Sequence, residues 1–297
     1  MDNENSNDER LEESTAELLK DPDLLDRASQ LMTDLGLCGE EKNRRLVFLS
    51  GVGGLLGEPI HLIIKGDSSG GKNTLAKTAF RLLPEDTVLA TSGLSPQALA
   101  YYEDGRIDGV LFIDEAEGLQ GAEFSLRQAM SEGRVARLTV GKDESGSWGG
   151  KELSVEVAAS IITTTTSTSL HRENQTRVFD LWIDESEEQT RDVLLAHADR
   201  AAGGGPSESV DKRVDRFRQA LSTLKTGEVV IPFARNLATA FPEKRLRARR
   251  DFPRVLSLIR VSALLHQAQR YRAPDGRIVA DLRDYRLVYP LLQEVLE

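Results

Sequence analysis

The order of apolar and polar positions divides the chain into four parts. Residues 1–14 are polar and acidic without any period, which predicts a disordered acidic tail. Residues 15–60 show helical spacing with a break near Pro22, and they predict an N-terminal helical segment. Over residues 61–184 short apolar runs alternate with helical stretches, so an α/β core is expected there. Residues 185–297 show helical spacing only and predict a helical lid domain.

The core is expected to contain a parallel sheet covered on both faces, because its strands and helices alternate. Five strands are predicted, at "HLIIK" (61–65), "TVLATS" (87–92), "GVLFID" (109–114), "AASIITTTT" (158–166) and "VFDLWID" (178–184). "RVARLTV" (134–140) and "KELSVEV" (151–157) alternate like the two arms of a β-hairpin. A helix is expected in "SPQALAYYE" with Ser95 as its N-cap, and no strand is expected after Asp184.

Composition restricts the functional class. The chain has 297 residues, 39% of them hydrophobic, which allows a nucleotide-binding domain with one small companion. No apolar run approaches the length of a membrane span, and the polar N-terminus resembles no signal peptide. A single cysteine, Cys38, is typical of a reducing cytoplasm, and the four scattered histidines offer no zinc spacing. We therefore expect a cytoplasmic protein without a structural metal site.

Charge is distributed unevenly along the chain. The net charge is −10, yet residues 1–26 hold ten acidic and two basic side chains. Residues 235–272 hold ten basic and two acidic side chains. Such a basic block is compatible with nucleic-acid binding, although a solvated helical face is the favoured explanation of a single Arg-rich helix.

The stretch "GDSSGGKNTL" carries the chemistry of phosphate binding. Its glycines and lysine follow the register G-x-x-x-x-G-K-[ST], between a predicted strand and a predicted helix. In such a loop, backbone N–H groups and the positive helix end face phosphates, and the lysine reaches the β- and γ-phosphates. The expected nucleotide-binding residues are Gly66, Asp67, Ser68, Ser69, Gly70, Gly71, Lys72, Asn73 and Thr74.

A second acidic motif follows the strand "GVLFID". Asp114 is expected to hold Mg²⁺ and Glu115 to orient and deprotonate the attacking water, as in a Walker B motif. Asn73 stands where this motif pair normally has a hydroxyl for Mg²⁺, and its amide oxygen is a neutral, longer ligand. We therefore expect ATP and Mg²⁺ as cofactors, with Asn73 and Asp114 as metal ligands. Because Asn73 replaces a hydroxyl residue, we expect Mg²⁺ affinity or ATP turnover to differ from that of a site with Ser or Thr.

Two further polar positions belong to the expected active site. Thr165, or alternatively Thr164, lies at the tip of a strand predicted between the other two motifs, where it can contact the γ-phosphate and the water. Arg177 precedes the last core strand, from which an arginine can enter a neighbouring subunit's site and neutralise transition-state charge. An ordinary surface arginine is the alternative for Arg177.

Across residues 20–297 the sequence resembles the AAA+ ATPases, in particular the minichromosome-maintenance (MCM) type. It is most similar to the MCM-related primase–helicases of phages and other mobile elements. "GVLFIDEAEG" matches the Walker B motif of that group, and "FSLRQAMSEGRVARLTVGKDESGSWGGKELSVEVAASIITTTT" resembles its helix, presensor-1 hairpin and sensor-1 strand. "ENQTRVFDLWIDESEEQTRDVLLAHA" and "RRDFPRVLSLIRVSALLHQAQR" are similar to its arginine-finger and sensor-2 segments.

The resemblance implies a P-loop αβα sandwich, usually assembled as a hexameric ring with ATP at the subunit boundaries. Arg254 corresponds to the sensor-2 arginine, with Arg250 as the alternative. In this branch the presensor hairpin grips the DNA backbone in the central pore, and Lys142 and Lys151 flank the hairpin tip here. These two lysines are our candidates for DNA contact; a solubilising role at a hairpin end is the alternative.

The leading interpretation is an ATP-driven, ring-forming DNA helicase or translocase in replication of a mobile element. An AAA+ loader or ATP-dependent switch is the second, and a P-loop small-molecule kinase is the third. Relatives often carry a primase module and a winged helix, which this sequence lacks. A separate primase, nuclease or DNA-docking protein is therefore an expected partner, or the chain is an excised motor.

Overall fold

A computed structural model describes residues 15–119, 121–142, 148–167, 177–204, 208–242 and 247–293. The predicted acidic tail, residues 1–14, lies outside these described residues. Residues 15–19 are helical. They are followed by the helices α1 (Leu24–Asp34), α2 (Glu41–Leu55), α3 (Lys72–Phe80), α4 (Glu123–Glu132), α5 (Glu187–Ala201), α6 (Glu208–Ser222), α7 (Ala234–Ala240), α8 (Ala248–Leu265) and α9 (Leu282–Leu292).

The five predicted core strands are confirmed. Their bounds are β1 (Leu62–Lys65), β2 (Val88–Thr91), β4 (Val110–Ile113), β7 (Ser160–Thr165) and β8 (Phe179–Trp182). They form the main sheet in the order β2-β4-β7-β1-β8, and every neighbouring pair is parallel. Their apolar runs are bounded by turn residues, as is typical of buried parallel strands.

Helices cover both faces of this sheet. Successive strand residues point to opposite sides, so neighbouring residues of one strand pack against different helices. Ile162 of β7 belongs to a hydrophobic cluster with residues of α1, α2, α3, α8 and α9. Its neighbour Ile161 belongs to a second cluster with residues of α4 and of the hairpin described below. The predicted α/β class is thus confirmed, whereas the boundary at residues 184/185 between core and lid stays a prediction.

The predicted hairpin is confirmed as β5 (Arg134–Lys142) and β6 (Trp148–Val157), which pair antiparallel. The short strand β3 (Arg106–Ile107) pairs with the base of β6 in a separate three-stranded sheet. Near the distal end, Leu138 and Val140 are exposed apolar side chains. The hairpin tip, residues 143–147, lies outside the described residues.

Two local predictions were wrong. The expected helix at "SPQALAYYE" is a single 3₁₀ turn, Ala98–Tyr101, with Gln97 rather than Ser95 before its first residue. Strands also occur after Asp184, where none was expected: β9 (Val229–Val230), β10 (Tyr271–Arg272) and β11 (Ile278–Val279) form a small sheet. Strands of two residues are too short to show a period of two, and the pairing of β9 with β11 joins distant parts of the chain.

Of the helices in the part of the chain that is described, none has the length and apolar character to cross a membrane.

Candidate active site

The glycine-rich loop lies between the end of β1 and the start of α3, as the phosphate-binding motif requires. Gly66, Ser69 and Gly71 have positive φ angles of 153°, 76° and 90°. A Cβ added to Gly66 would lie 2.3 Å from Cγ1 of Ile183, and one added to Gly70 would lie 2.2 Å from its Cδ1. Glycine at these two positions therefore lets the loop pack directly against the residue that follows β8.

Lys72, the first residue of α3, is turned back onto its own loop. Its Nζ donates hydrogen bonds to the carbonyl oxygens of Gly66 at 2.7 Å and Asp67 at 2.6 Å. The backbone N–H of Asp67 donates to the carboxylate of Glu185. The remaining expected binding residues Ser68, Ser69, Gly70, Gly71 and Thr74 are exposed. The loop thus presents polar groups to solvent while its lysine and one N–H are engaged internally.

Asn73 and Asp114 are the residues that would hold Mg²⁺. Oδ1 of Asn73 is buried and has no hydrogen-bond partner among the described residues, so an acceptor oxygen is left for a cation or a water. Asp114 follows β4 directly and is partly exposed. Lys77 of α3 places its Nζ 3.8 Å from Oδ2 of Asp114. A carboxylate and an amide oxygen suit a hard cation, so the residues present fit Mg²⁺.

The hydroxyl of Thr164 connects the two acidic residues. Its Oγ1 accepts the backbone N–H of Glu115 at 3.0 Å and lies 3.4 Å from Oδ1 of Asp114, to which it donates. Glu115 itself is exposed and has a positive φ of 79°, an uncommon conformation for this residue. The structure thus brings Thr164 to the acidic pair, whereas Oγ1 of Thr165 accepts the N–H of Ser167 at 3.0 Å.

Arg177 and Arg254 meet at a different place. Both line one cavity of about 440 Å³ together with Arg249, Arg250 and His61. Nε of Arg177 donates a 2.6 Å hydrogen bond to Oγ of Ser131, the penultimate residue of α4. Four arginines around one cavity create a strongly positive site for a polyanion.

The side chain of Arg254 is largely buried, whereas Arg249 and Arg250 are exposed. Its guanidinium carbon lies 3.7 Å from the ring centre of Phe179, and Nη1 donates to Asp251 at 3.0 Å. Burial lowers the pKa of Arg254 to about 10, partly offset by the Asp251 carboxylate, so the side chain stays charged at neutral pH. Its Nε and Nη2 are buried and have no hydrogen-bond partner among the residues that the structure describes.

This cavity lies at the edge of the sheet opposite the glycine-rich loop. Its lining includes His61, which precedes β1, and Arg177, which precedes the parallel strand β8, whereas the loop follows the end of β1. Four strand residues at about 3.3 Å each separate the two edges by about 13 Å. Arg177 and the glycine-rich loop of one chain therefore lie at opposite edges of the sheet.

The two predicted DNA-contacting lysines belong to the distal half of the hairpin. Lys151 is exposed on β6, where it pairs with Thr139 of β5. Lys142 is the last residue of β5, and its backbone pairs with Trp148; its side chain lies outside the described residues. The contact with DNA stays a prediction.

A parallel sheet with a glycine-rich loop after β1 and an acidic pair after β4 defines a P-loop protein of the ATPase class. Residues 12–225 match the model of the MTBMA_p00010 P-loop domain family, and the chain belongs to this family. A crystal structure of a "putative ATPase" from Cytophaga hutchinsonii shares this fold, with a TM-score of 0.52 and 10% identity over 97% of this chain and 98% of that chain. None of the curated protein sequences matches.

Several residues of the site were missed by the sequence analysis. Glu185 and Ser131 are ordinary polar residues whose partners, Asp67 and Arg177, lie far away in the chain. Lys77 lies five residues after Lys72 on α3, and helical spacing alone could have placed it near the metal site. The proximity of Arg254 to Arg177 depends on how α8 packs against β8, for which the sequence offered no signal.

Proposed function

We propose that this chain is an ATP-hydrolysing AAA+ ATPase of the MCM-like branch, whose active site is shared between two copies. The observation that supports this proposal is the separation of Lys72, Asp114 and Glu115 from Arg177 and Arg254 by the length of β1. A complete hydrolysis set needs both groups around one triphosphate. Two neighbouring copies can supply it where one copy cannot.

Within one copy, each residue has a distinct part in the proposed reaction. Lys72 leaves the carbonyls of Gly66 and Asp67 and binds the β- and γ-phosphates. Glu115 orients the attacking water and accepts its proton, while Thr164 fixes the backbone of Glu115. Mg²⁺, held through Asp114 and Asn73, would neutralise charge on the phosphate oxygens.

The neighbouring copy would contribute the arginines. Arg177 would reach the γ-phosphate and neutralise the charge that develops there. Arg254 is charged, lines the same cavity and has two buried nitrogens without a partner among the described residues, and it would stabilise the same phosphate. The sequence resemblance named Arg254 as a sensor, and its place beside Arg177 favours a role in the neighbour's site.

Mixing two inactive variants tests the shared site. Arg177→Ala subunits retain Glu115, and Glu115→Gln subunits retain Arg177, so a mixed interface of the correct polarity has both. ATP hydrolysis should recover in the mixture to well above that of either variant alone. A mixture no more active than its components would exclude a shared site.

We further propose that the ATPase forms a ring, a hexamer by resemblance, which translocates along DNA during replication of a phage or other mobile element in the cytoplasm. The exposed Lys151 on a projecting hairpin supports contact with phosphates. DNA should stimulate hydrolysis, and Lys142→Ala with Lys151→Ala should weaken DNA binding and reduce its salt dependence. A primase, nuclease or DNA-docking partner would act with the ring.

A loader or ATP-dependent switch is the second candidate. Asn73 in place of a hydroxyl residue and the contact of Glu185 with the loop both favour slow turnover and control by binding. This alternative predicts nucleotide-dependent assembly with ATP hydrolysis that DNA leaves unchanged. ATPase assays with and without single-stranded DNA separate the two candidates.

A further inference from the structure

The last turn of α4 connects the arginine cavity with the hairpin. The helix ends at Glu132, and Gly133 follows in the left-handed conformation with φ 64°, its N–H bonded to the carbonyl of Ala129 at 2.9 Å. β5 begins at the next residue, Arg134, so no loop separates the helix from the hairpin. A displacement of this turn therefore moves the hairpin base directly.

The same turn is bonded to the N-terminal edge of the main sheet. Ser131 accepts the 2.6 Å hydrogen bond from Nε of Arg177, which precedes β8. His61, which precedes β1, accepts the N–H of Ile161 at 3.1 Å through Nδ1. Ser131, Arg177 and His61 all line the same cavity, together with Met130 of the turn.

The bond to Ser131 is made through Nε, the guanidinium nitrogen nearest the aliphatic chain. A hydrogen bond at Nε fixes the plane of the guanidinium, and that bond itself engages neither of the terminal Nη groups. Because this bond restrains the torsions of the Arg177 side chain, less conformational entropy is lost when the guanidinium meets an anion.

We propose that Ser131 is a positioning residue for Arg177, which it holds in the orientation needed to reach the nucleotide of a neighbouring copy. This inference rests on the proposed function, since it assigns Ser131 a part in the shared site. Through Gly133 the same hydroxyl links the orientation of Arg177 to the base of the hairpin. A neighbour's nucleotide that draws Arg177 forward would pull on the helix end from which β5 starts.

A double-mutant cycle in the ATPase turnover number tests the proposal. Ser131→Ala should lower kcat about tenfold, with KM for ATP unchanged, because a hydrogen bond to a charged group is lost from the transition state. Ser131→Thr keeps the hydroxyl and should restore at least half of the activity. In an Arg177→Ala background, Ser131→Ala should change kcat by less than about twofold, because its only route of action is gone.

Gln128→Ala, on the same helix, is the matched control and should retain wild-type kcat, since its bond is to Glu132 at 3.4 Å on the helix surface. Equal losses from Ser131→Ala in both backgrounds would show a purely structural role and overturn the proposal, as would an unchanged kcat in the wild-type background. If Arg177→Ala alone leaves kcat unchanged, the shared site of the proposed function fails as well.

Discussion

The carboxylate of Glu185 accepts a hydrogen bond from the backbone N–H of Asp67, inside the glycine-rich loop. An anionic side chain thus lies beside a loop built to receive phosphates. Gly66 packs against the same carboxylate, whose Oε1 would be 2.8 Å from an added Cβ. A bound triphosphate would meet electrostatic repulsion from this group.

Replacement of Glu185 by alanine should therefore tighten nucleotide binding. We expect Kd for ATP to fall about three- to tenfold at low salt, because a negative charge is removed from the phosphate site, and the gain should shrink as salt rises. Titration with a fluorescent ATP analogue measures this. Glu188→Ala, in the exposed first turn of α5, is the control. Weaker binding by Glu185→Ala would show that the carboxylate organises the loop instead.

Replacement of Asn73 by threonine should lower the Mg²⁺ requirement. A hydroxyl at this position is a shorter ligand than the amide and leaves room for a water in the coordination shell. We expect half-maximal ATPase activity at a severalfold lower Mg²⁺ concentration, with the Kd of metal-free ATP unchanged. Thr74→Ser, one residue along the same helix, serves as the control. An unchanged magnesium titration would remove Asn73 from the metal site.

Valine substitutions at Thr164 and Thr165 separate two neighbouring hydroxyls of nearly equal burial, at 2% and 1% exposure. Thr164→Val removes the bond to the N–H of Glu115 and the contact with Asp114, so we expect kcat to fall by more than about tenfold. Thr165→Val removes only the bond to Ser167 among those described above, and we expect a smaller loss. A larger loss at Thr165 would instead favour Thr165 as the residue that contacts the γ-phosphate and the attacking water. Steady-state ATPase kinetics decide between them.

The stability of the protein should depend on pH through His61. Burial and the nearby Arg254 charge lower the pKa of His61 from its ordinary 6.5 to about 4, so the folded protein holds the imidazole neutral. As pH falls below 6.5 the unfolded chain takes up a proton that the folded chain does not, and the free energy of unfolding decreases until pH 4, by about 3 kcal/mol at most.

His61→Gln should flatten this part of the pH profile, since glutamine can keep one acceptor and one donor without titrating. Denaturant unfolding between pH 4 and 7 is the measurement. Variant and wild type with the same slope would mean that carboxylates alone produce the acid destabilisation.

The glycine-rich loop and the acidic pair could be predicted from the sequence, because each consists of residues adjacent in the chain. The sequence pattern predicted Lys72, Asp114 and Glu115 just after strands whose ends lie at the same edge of the sheet. It could not predict hydrogen bonds between residues distant in the chain. Glu185 accepts the N–H of Asp67 only because β8 lies beside β1. The two-residue strands β9 and β11 likewise form only when their long-range pairing is made.

The two ends of β1 mark two unlike edges of the sheet. The glycine-rich loop lies at one edge, and the arginines lie at the other. In the proposed shared-site assembly, copies joined through these ends would form a polar, head-to-tail series, and an open arc would have one half-site at each extremity. Closing the arc would join the two halves into one more complete site without adding a subunit. Specific activity should then rise with protein concentration more steeply than simple pairing allows and level off once rings predominate.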